Sequence, residues 1–522
     1  GLAFITTRCK KKFICWRPQA AVLFRMELDG SRVEPLSYAN LTEFAPSVLD
    51  DGRLLWTRSE YVDKGADYGH TIWTIRADGT YPDLTFGNTI ALPQGYANAR
   101  QVPGTSEVSA VMISHFGDLN GPVALLDLTK GPHDPKAIRS ITPEIPWPGF
   151  PPNSEAFREP VPITRDVILV AHAPQDRFGL FLIDRYGNRE LLFIDPAIDS
   201  ICPLPMNPRP VPPVMRGVIA SSLANQDKGQ FVIQNVYRGL DGKVKQGAAK
   251  YLRICEELPS MLRTMPDGTY QDDHEPYLQW YASPLDLISE PWPSYVAKGV
   301  IGTVPIESDG SANFLAPARR VLYFQLLDAG HNEIQRMRSV VQLRPGEQRS
   351  CVGCHESRLT TPDPAPVRIE AMRKSPVEPV APPWGAGPFW YESVVQPVLD
   401  ARCVSCHNSR TPNKIDLSGT LDKDSIPVSF RKLVHSGTIH FFNYGYQTGV
   451  PYKAEPYTFG TVKSSLWTIL RDANHRDVKL TPHQEQAIKC WTDLNVPLWG
   501  DYAFRPERRT VRPQDVARWQ PD

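Results

Sequence analysis

Two copies of the pattern Cys-x-x-Cys-His in the last third of the chain constrain its fold more than any other feature. They comprise four cysteines and two histidines: Cys351, Cys354, His355, Cys403, Cys406 and His407. This pattern attaches c-type haem, because the two thiols add to the haem vinyl groups and the histidine that follows ligates the iron. A lone Cys-x-x-Cys also fits a zinc knuckle or a redox dithiol, but a histidine directly after both pairs disfavours those alternatives. The sequence therefore predicts two covalently bound haem c groups.

The composition excludes several classes of function. Lysine plus arginine and aspartate plus glutamate both number 57 in 522 residues, so the formal net charge is zero and no nucleic-acid partner is expected. No apolar run approaches the roughly 18 residues of a membrane-spanning helix. The chain opens at Gly1 without an initiator methionine or signal peptide, and we interpret it as a mature or truncated form. Because haem is joined to thiols after export, we expect a periplasmic or other exported location.

The pattern of short strands and turns predicts a mainly β fold with a C-terminal α domain. Residues 1–284 repeat a unit of about 40 to 60 residues, in which apolar strands end at polar turns such as Asp51-Gly52. We count four such units, the last within residues 217–236, and we predict a β-propeller that is incomplete at its N-terminus. A pair of β-sandwiches is the alternative.

The rest of the chain divides into three parts. Residues 285–359 predict a β-sandwich-like middle domain that ends in the first haem motif, and residues 360–388 predict a proline-rich linker. Residues 389–522 predict a helical cytochrome c domain with the second haem. Its first helix covers residues 391–402 and leads into the second motif, and its last covers residues 481–494 with proline at the first helical position.

Several short segments resemble proteins related to the alpha subunit of hydrazine synthase. They are residues 336–339, 345–347, 350–356, 394–407, 417–419, 477–480 and 491–497. The resemblance is strongest over residues 286–502 and covers the propeller by architecture only, where residues 44–55 are similar to the repeat of TolB-type propellers. It implies a propeller, a middle domain with one c-type haem, and a C-terminal domain whose c-type haem has two histidine ligands.

The chain departs from that family at the middle haem. In hydrazine synthase the motif histidine turns to a zinc ion and a tyrosine four residues later ligates the iron, whereas this chain has Leu359 there. Hydrazine synthesis is therefore not expected, and His355 either ligates iron or still holds a metal. The family's zinc partners are an aspartate and a cysteine of the propeller, which correspond by context to Asp63 and Cys202. A turn or capping role for Asp63 and a buried thiol for Cys202 are the alternatives.

The second axial ligand decides what each haem can do. No methionine follows Met372, so the C-terminal haem is expected to have two histidine ligands and to carry electrons rather than bind substrate. The candidates are His435, His440, His475 and His483. His475 is the predicted ligand, because it lies one loop before the last helix and where the family has a histidine, and His440 is next. At the middle haem the only nearby candidate is Met372, which lies in proline-rich sequence, so we expect a vacant sixth position there.

Two classes of function follow. The first is an exported dihaem oxidoreductase, in which a small nitrogenous or other small molecule reacts at the middle haem and electrons pass through the C-terminal haem; no catalytic residue is assigned. The second is an electron-transfer or docking module whose haems are both six-coordinate. Either one requires a redox partner protein or another cytochrome, and a hetero-oligomer is a further expectation. A dihaem peroxidase is disfavoured, because the two motifs lie only 52 residues apart (403 minus 351).

Overall fold

In the computed structural model the chain is mainly β, with helices concentrated after residue 390. The structure describes residues 1–12, 19–60, 69–90, 92–114, 119–147, 156–264, 266–268, 270–271, 296–355, 359, 369–412, 414–423, 426–442, 454–473, 475, 478–500 and 519–520. Within these ranges no helix combines the length and the apolar character that crossing a membrane requires. The expected mainly β fold class is confirmed at this level.

The chain up to residue 193 forms a series of antiparallel sheets. A three-stranded sheet comes first, and three successive four-stranded meanders follow, with the first two joined by a single parallel pair between His70 and Gly95. Asp-Gly turns close two of the hairpins, where Gly52 and Gly79 adopt positive φ angles of 88° and 80°. The three meanders coincide with the first three predicted units. The strands are β1 (Leu2–Lys12), β2 (Gln19–Met26), β3 (Glu34–Pro35), β4 (Glu43–Val48), β5 (Arg53–Ser59), β6 (His70–Arg76), β7 (Asp83–Phe86), β8 (Gly95–Gln101), β9 (Glu107–Ile113), β10 (Val123–Asp127), β11 (Ile138–Ser140), β12 (Ala156–Pro162), β13 (Val167–Ala173), β14 (Gly179–Asp184) and β15 (Arg189–Phe193).

Two more sheets form the middle of the molecule. Their strands are β16 (Lys228–Ile233), β17 (Tyr251–Glu257), β20 (Lys298–Pro305), β21 (Ala312–Pro317), β22 (Val321–Leu327), β23 (Glu333–Arg336), β24 (Gln348–Cys351) and β25 (Gly387–Pro388), while β18 (Arg263–Thr264) and β19 (Tyr270–Gln271) form a separate pair. One sheet has the order β21-β16-β24 and the other the order β23-β22-β17-β20-β25.

The sheet partners correct the predicted fourth propeller unit. Strand β16 pairs with β21 and, in parallel, with β24, so residues 231–236 do not continue the series of meanders. Strand β17 lies between β20 and β22. Residues 228–257 therefore pair with strands that lie beyond the boundary expected between residues 284 and 285. The apolar alternation of β16 indicated a strand correctly, but it carries no information about which strand becomes its partner.

The described part of the proline-rich segment, which was expected to be a linker, is hydrogen-bonded to the middle sheets. The Val377 amide donates to the Asn313 carbonyl at 3.0 Å. The backbones of Val380 and Thr303 exchange two hydrogen bonds of 2.9 Å. Because proline lacks an amide hydrogen, the bridging positions fall on the valines between the prolines. This stretch is therefore packed against the protein rather than extended into solvent.

Six helices are described: α1 (Ser221–Asn225), α2 (Tyr391–Val394), α3 (Gln396–Arg402), α4 (Val428–His435), α5 (Leu466–Arg471) and α6 (Pro482–Asp493). The single helix predicted over residues 391–402 is divided into α2 and α3, and the break precedes Pro397, which cannot donate a backbone hydrogen bond. The predicted last helix is confirmed. Thr481 and Gln484 form a capping box at its start, with Pro482 at the first helical position.

One hydrophobic core joins the first strands, the middle sheet and the C-terminal helices. Trp56 and Trp73 from the first meander, Tyr323 from β22 and Trp491 from α6 all belong to it and are buried. Polar contacts reinforce this junction, since Lys298 of β20 is fully buried and donates from Nζ to the Leu494 carbonyl at 2.8 Å. The end of α6 is thereby bound to the middle sheet.

Candidate haem-binding sites

The second motif begins where helix α3 ends. The Cys403 amide donates to the Leu399 carbonyl at 2.8 Å, and the His407 amide donates to the Cys403 carbonyl at 2.9 Å, so the motif continues the helix as a tight turn. Cys403 and Cys406 are partly buried. Burial raises the pKa of the Cys403 thiol to about 11, which keeps it protonated at neutral pH. The turn holds the two thiols and the histidine on one short stretch of backbone.

The ring of His407 is oriented by a hydrogen bond to the main chain. Its Nδ1 lies 3.1 Å from the Ile415 carbonyl oxygen. Because a carbonyl oxygen can only accept, Nδ1 is the nitrogen that carries the proton, and the Nε2 lone pair is the one suited to bind a metal. This arrangement is usual for a metal-ligating histidine.

His475 faces His407 across a narrow gap. Their ring centroids are 6.0 Å apart and their planes differ by 13°. His475 lies in the turn after α5, where its amide donates to the Asp472 carbonyl at 2.8 Å. Two imidazoles that bind one metal ion from opposite sides each approach it to about 2 Å through nitrogen, which puts their centroids roughly 6 Å apart. The spacing of this pair fits a haem iron between the two rings.

The other histidines of this region make different contacts. His440 packs edge-on against Phe459 with a centroid distance of 5.5 Å, and burial lowers its pKa. The Nδ1 atom of His435 lies 2.7 Å from the Arg431 carbonyl oxygen on the same helix, and His483 is exposed near the start of α6. Within the described residues, His475 is the candidate whose ring lies opposite His407.

The first motif is carried by strand β24. Cys351 ends this strand, and its carbonyl accepts from the Gln234 amide at 2.9 Å, so the pairing with β16 continues into the motif. Gly239 adopts a φ of +78° directly beneath His355, with no room for a side chain. Burial raises the pKa of the Cys354 thiol to about 12. The motif is therefore fixed by backbone contacts on its inner side.

The opposite side of the first motif opens into a cavity that His133 also lines. The ring centroids of His133 and His355 are 5.9 Å apart, with an angle of 56° between their planes. His133 was missed in the sequence, where it lies in a Gly-Pro-His-Asp turn far from either motif and carries no local sign of a ligand. Only the tertiary structure brings it to the first motif.

Three arginines line the same cavity: Arg336, Arg338 and Arg349. Arg336 forms an ion pair with Glu333 at 2.5 Å. Haem carries two carboxylates, and guanidinium groups bind carboxylates in a well-defined geometry. Together with two thiols and a histidine, these side chains provide the kinds of group that hold a c-type haem.

Comparisons with known proteins identify a related domain and a similar fold. Residues 247–356 match the family model of the hydrazine synthase alpha subunit middle domain. The whole structure is similar to the hydrazine synthase of Kuenenia stuttgartiensis, with a TM-score of 0.68 and 17% identity over 95% of this chain and 77% of that one. The family match is to the middle domain, and the likeness of the whole chain at 17% identity shows a shared fold. The matched middle domain begins near β17 and ends just after the first motif, so that motif is an integral part of it.

Other similarities are weak. A puromycin-hydrolysing peptidase of Mycobacterium tuberculosis has a TM-score of 0.24 and 10% identity over 65% of this chain and 43% of that one. A putative 6-phosphogluconolactonase of Bacteroides fragilis has a TM-score of 0.21 and 11% identity over 66% of this chain and 96% of that one. Both TM-scores are too low to indicate a shared fold. No protein of curated function matches the chain significantly.

The zinc site implied by the hydrazine synthase family gains no support from the described residues. Asp63 lies outside them. Cys202 is exposed rather than buried, and its Sγ lies 3.2 Å from Oε1 of Glu159. Partial desolvation of the thiol and the nearby carboxylate raise the pKa of Cys202. Among the residues that the structure describes, no three histidine, cysteine, aspartate or glutamate side chains are grouped as metal ligands.

Met372 and Leu359 were the residues expected to decide which ligands the middle iron has, and they lie in separate parts of the structure. Met372 is 55% exposed in a short 3₁₀ helix (Glu370–Arg373) and is not part of the cavity wall. Leu359, which occupies the tyrosine position of the family, lies near Gly131 of the turn that carries His133. Leu359 and the turn that carries His133 are therefore neighbours.

Proposed function

We propose that this chain is an exported dihaem c-type redox protein. The first haem would be bound by Cys351, Cys354 and His355, and the second by Cys403, Cys406 and His407, with His475 as the second axial ligand of the C-terminal iron. Its main activity in this proposal is electron transfer through the C-terminal site.

The observation that carries the proposal is the facing pair His407 and His475. Two thiols, a histidine whose Nδ1 donates to a carbonyl, and a second imidazole 6.0 Å away form the full ligand set of a bis-histidine haem c. An iron with two histidine ligands exchanges single electrons without binding substrate. In this chain the Ile415 carbonyl would make His407 a stronger donor to iron, which favours the oxidised state and lowers the reduction potential.

A redox enzyme is the second candidate, and the cavity at the first motif favours it. His355 and three arginines line a space that lies between β7 and the middle sheet. Guanidinium groups at such a site could orient a small anionic or nitrogenous substrate beside the haem. The choice between the two candidates depends on whether the middle iron keeps an open position.

The rest of the chain would provide a surface on which a partner protein docks. Three successive four-stranded meanders support the proposal of a β-propeller, which offers a broad surface for a redox partner protein or another cytochrome. Covalent haem attachment implies an exported location such as the periplasm. A hetero-oligomeric assembly is consistent with this surface and stays a prediction.

The proposal can be tested on the full chain produced with c-type haem maturation. Intact mass after acid–acetone extraction should exceed the polypeptide mass by two haems, and a mass equal to the polypeptide would end the proposal. His475→Ala should open the C-terminal iron, so the reduced protein binds one more carbon monoxide per chain than wild type. His440→Ala is the matched control, because it removes another histidine of the same region. If H440A rather than H475A opens the site, His440 is the ligand.

A further inference from the structure

We infer that His133 is the second axial ligand of the middle haem, opposite His355. The inference rests on the proposed attachment of haem c at the first motif, and it assigns a residue to the sixth position that the sequence left vacant. It links the turn after β10 directly to the middle domain.

The spacing of the two rings is the first argument. His133 and His355 have centroids 5.9 Å apart, close to the 6.0 Å of His407 and His475. Ligands on opposite sides of one iron require roughly 6 Å, whereas two imidazoles on a tetrahedral zinc ion would lie roughly 5 Å apart. The observed distance therefore favours axial ligation of one iron.

The angle between the rings is compatible with the same role. Each axial imidazole can rotate about its bond to iron, so planes 13° and 56° apart can both occur in bis-histidine haems. Because the angle between the two imidazole planes affects the energies of the iron d orbitals, these energies should differ between the two haems. The two low-spin centres should consequently give distinguishable electron paramagnetic resonance signals.

The turn that carries His133 is well fixed. The Thr89 hydroxyl lies 2.8 Å from Nδ1 of His133, a contact of the kind that orients an imidazole for ligation through Nε2. The carbonyl of the preceding Pro132 accepts from the Gly87 amide at 3.1 Å, and the Asp134 side chain caps the following 3₁₀ turn (Pro135–Ala137). Hydrogen bonds on both sides of His133 therefore hold its backbone.

The segment after the first motif meets this turn. A Cβ added to Gly131 would lie 3.3 Å from Cγ of Leu359, four residues after His355. The Leu359 side chain therefore packs against the ligand-bearing turn at Gly131. A middle iron that holds both His133 and His355 would be six-coordinate, so the site would carry electrons and would bind substrate only after one histidine leaves.

The experiment compares His133→Ala with wild type and with His435→Ala, which removes an exposed imidazole on α4. In wild type we expect two low-spin haems and no carbon monoxide binding after reduction. In H133A half of the iron should become high-spin and bind carbon monoxide, and added imidazole should restore the low-spin spectrum. H435A should resemble wild type.

Several outcomes would overturn the inference. Wild type with one high-spin haem, unchanged in H133A, would show that His133 is not a ligand while the two haems of the proposed function remain. Zinc that is bound by wild type and lost in H133A would assign the histidine pair to that metal instead. If H133A fails to fold, Thr89→Val keeps the imidazole and removes its Nδ1 contact. A rise in its high-spin fraction is expected, and an unchanged spectrum counts against the inference.

Discussion

Gly239→Ala tests whether the first motif depends on a close backbone contact. Gly239 has a φ of +78°, and a Cβ placed there would overlap the carbonyl oxygen of His355 and lie 2.5 Å from its carbonyl carbon. Carbon atoms in contact are about 3.5 Å apart or more, so the end of the motif would have to move by roughly 1 Å. The positive φ costs about 1 kcal/mol for a residue with a Cβ, and overpacking adds about 1–3 kcal/mol. We expect G239A to lower the free energy of unfolding by about 2–4 kcal/mol.

Gly242→Ala is the matched control. Gly242 lies in the same stretch with a φ of +69°, but a Cβ there would meet nothing within 4 Å. Gly242→Ala should therefore lower the free energy of unfolding by about 1 kcal/mol, which is the contribution of the backbone conformation alone. Denaturant unfolding followed by tryptophan fluorescence measures both variants, and the absorption spectrum of the proposed haem protein would report whether His355 has moved. Equal stabilities and identical spectra for G239A and G242A would refute the reasoning.

Three further changes have expected outcomes. Burial raises the pKa of Glu257 to about 7, so the folded state binds more protons than the unfolded state between pH 4.5 and 7 and loses stability as the pH rises through that range. Glu257→Gln should remove this loss, and its unfolding free energy relative to wild type should increase by roughly 3 kcal/mol from pH 4.5 to pH 8; a constant difference would contradict this. Lys298→Met should cost about 1–3 kcal/mol in denaturant unfolding, because it leaves the Leu494 carbonyl buried without its donor. Thr481→Ala removes the capping box of α6 and should cost about 1 kcal/mol in the same measurement, whereas Thr481→Ser should cost little.

Local patterns predicted those parts of the fold that depend on neighbouring residues. Thr481 and Pro482 mark the start of α6 because a hydroxyl cap and a proline at the first position act within one turn of helix. The Asp-Gly turns marked hairpins for the same reason, since Gly52 and Gly79 take the positive φ that such turns require. Local patterns did not predict which strands pair with each other. The apolar residues of β16 fit a propeller blade and the middle sheet equally well, and the choice depends on contacts with distant strands.

At the candidate sites, too, the sequence predicted what depends on nearby residues and missed what depends on distant contacts. His475 could be selected from its sequence region, because methionine is absent after Met372 and few histidines remain. His133 could not, since a histidine in a polar turn is usually a surface residue and nothing near it in sequence points to the first motif. Its position follows from the fold, in which His133 and residues of β24 line one cavity and Gly131 lies against Leu359. A ligand supplied by one part of a chain to a motif in another part becomes visible only once both are folded.

The shared core has a consequence for the rate at which electrons could move between the two motifs. Side chains from β5, β22 and α6 interdigitate in one hydrophobic cluster, and Lys298 binds the end of α6 to the middle sheet. The separation of the motifs is thus set by close packing rather than by a tether whose ends diffuse. Transfer between them should respond to driving force and temperature but should be insensitive to solvent viscosity, so glycerol or sucrose would leave its rate unchanged.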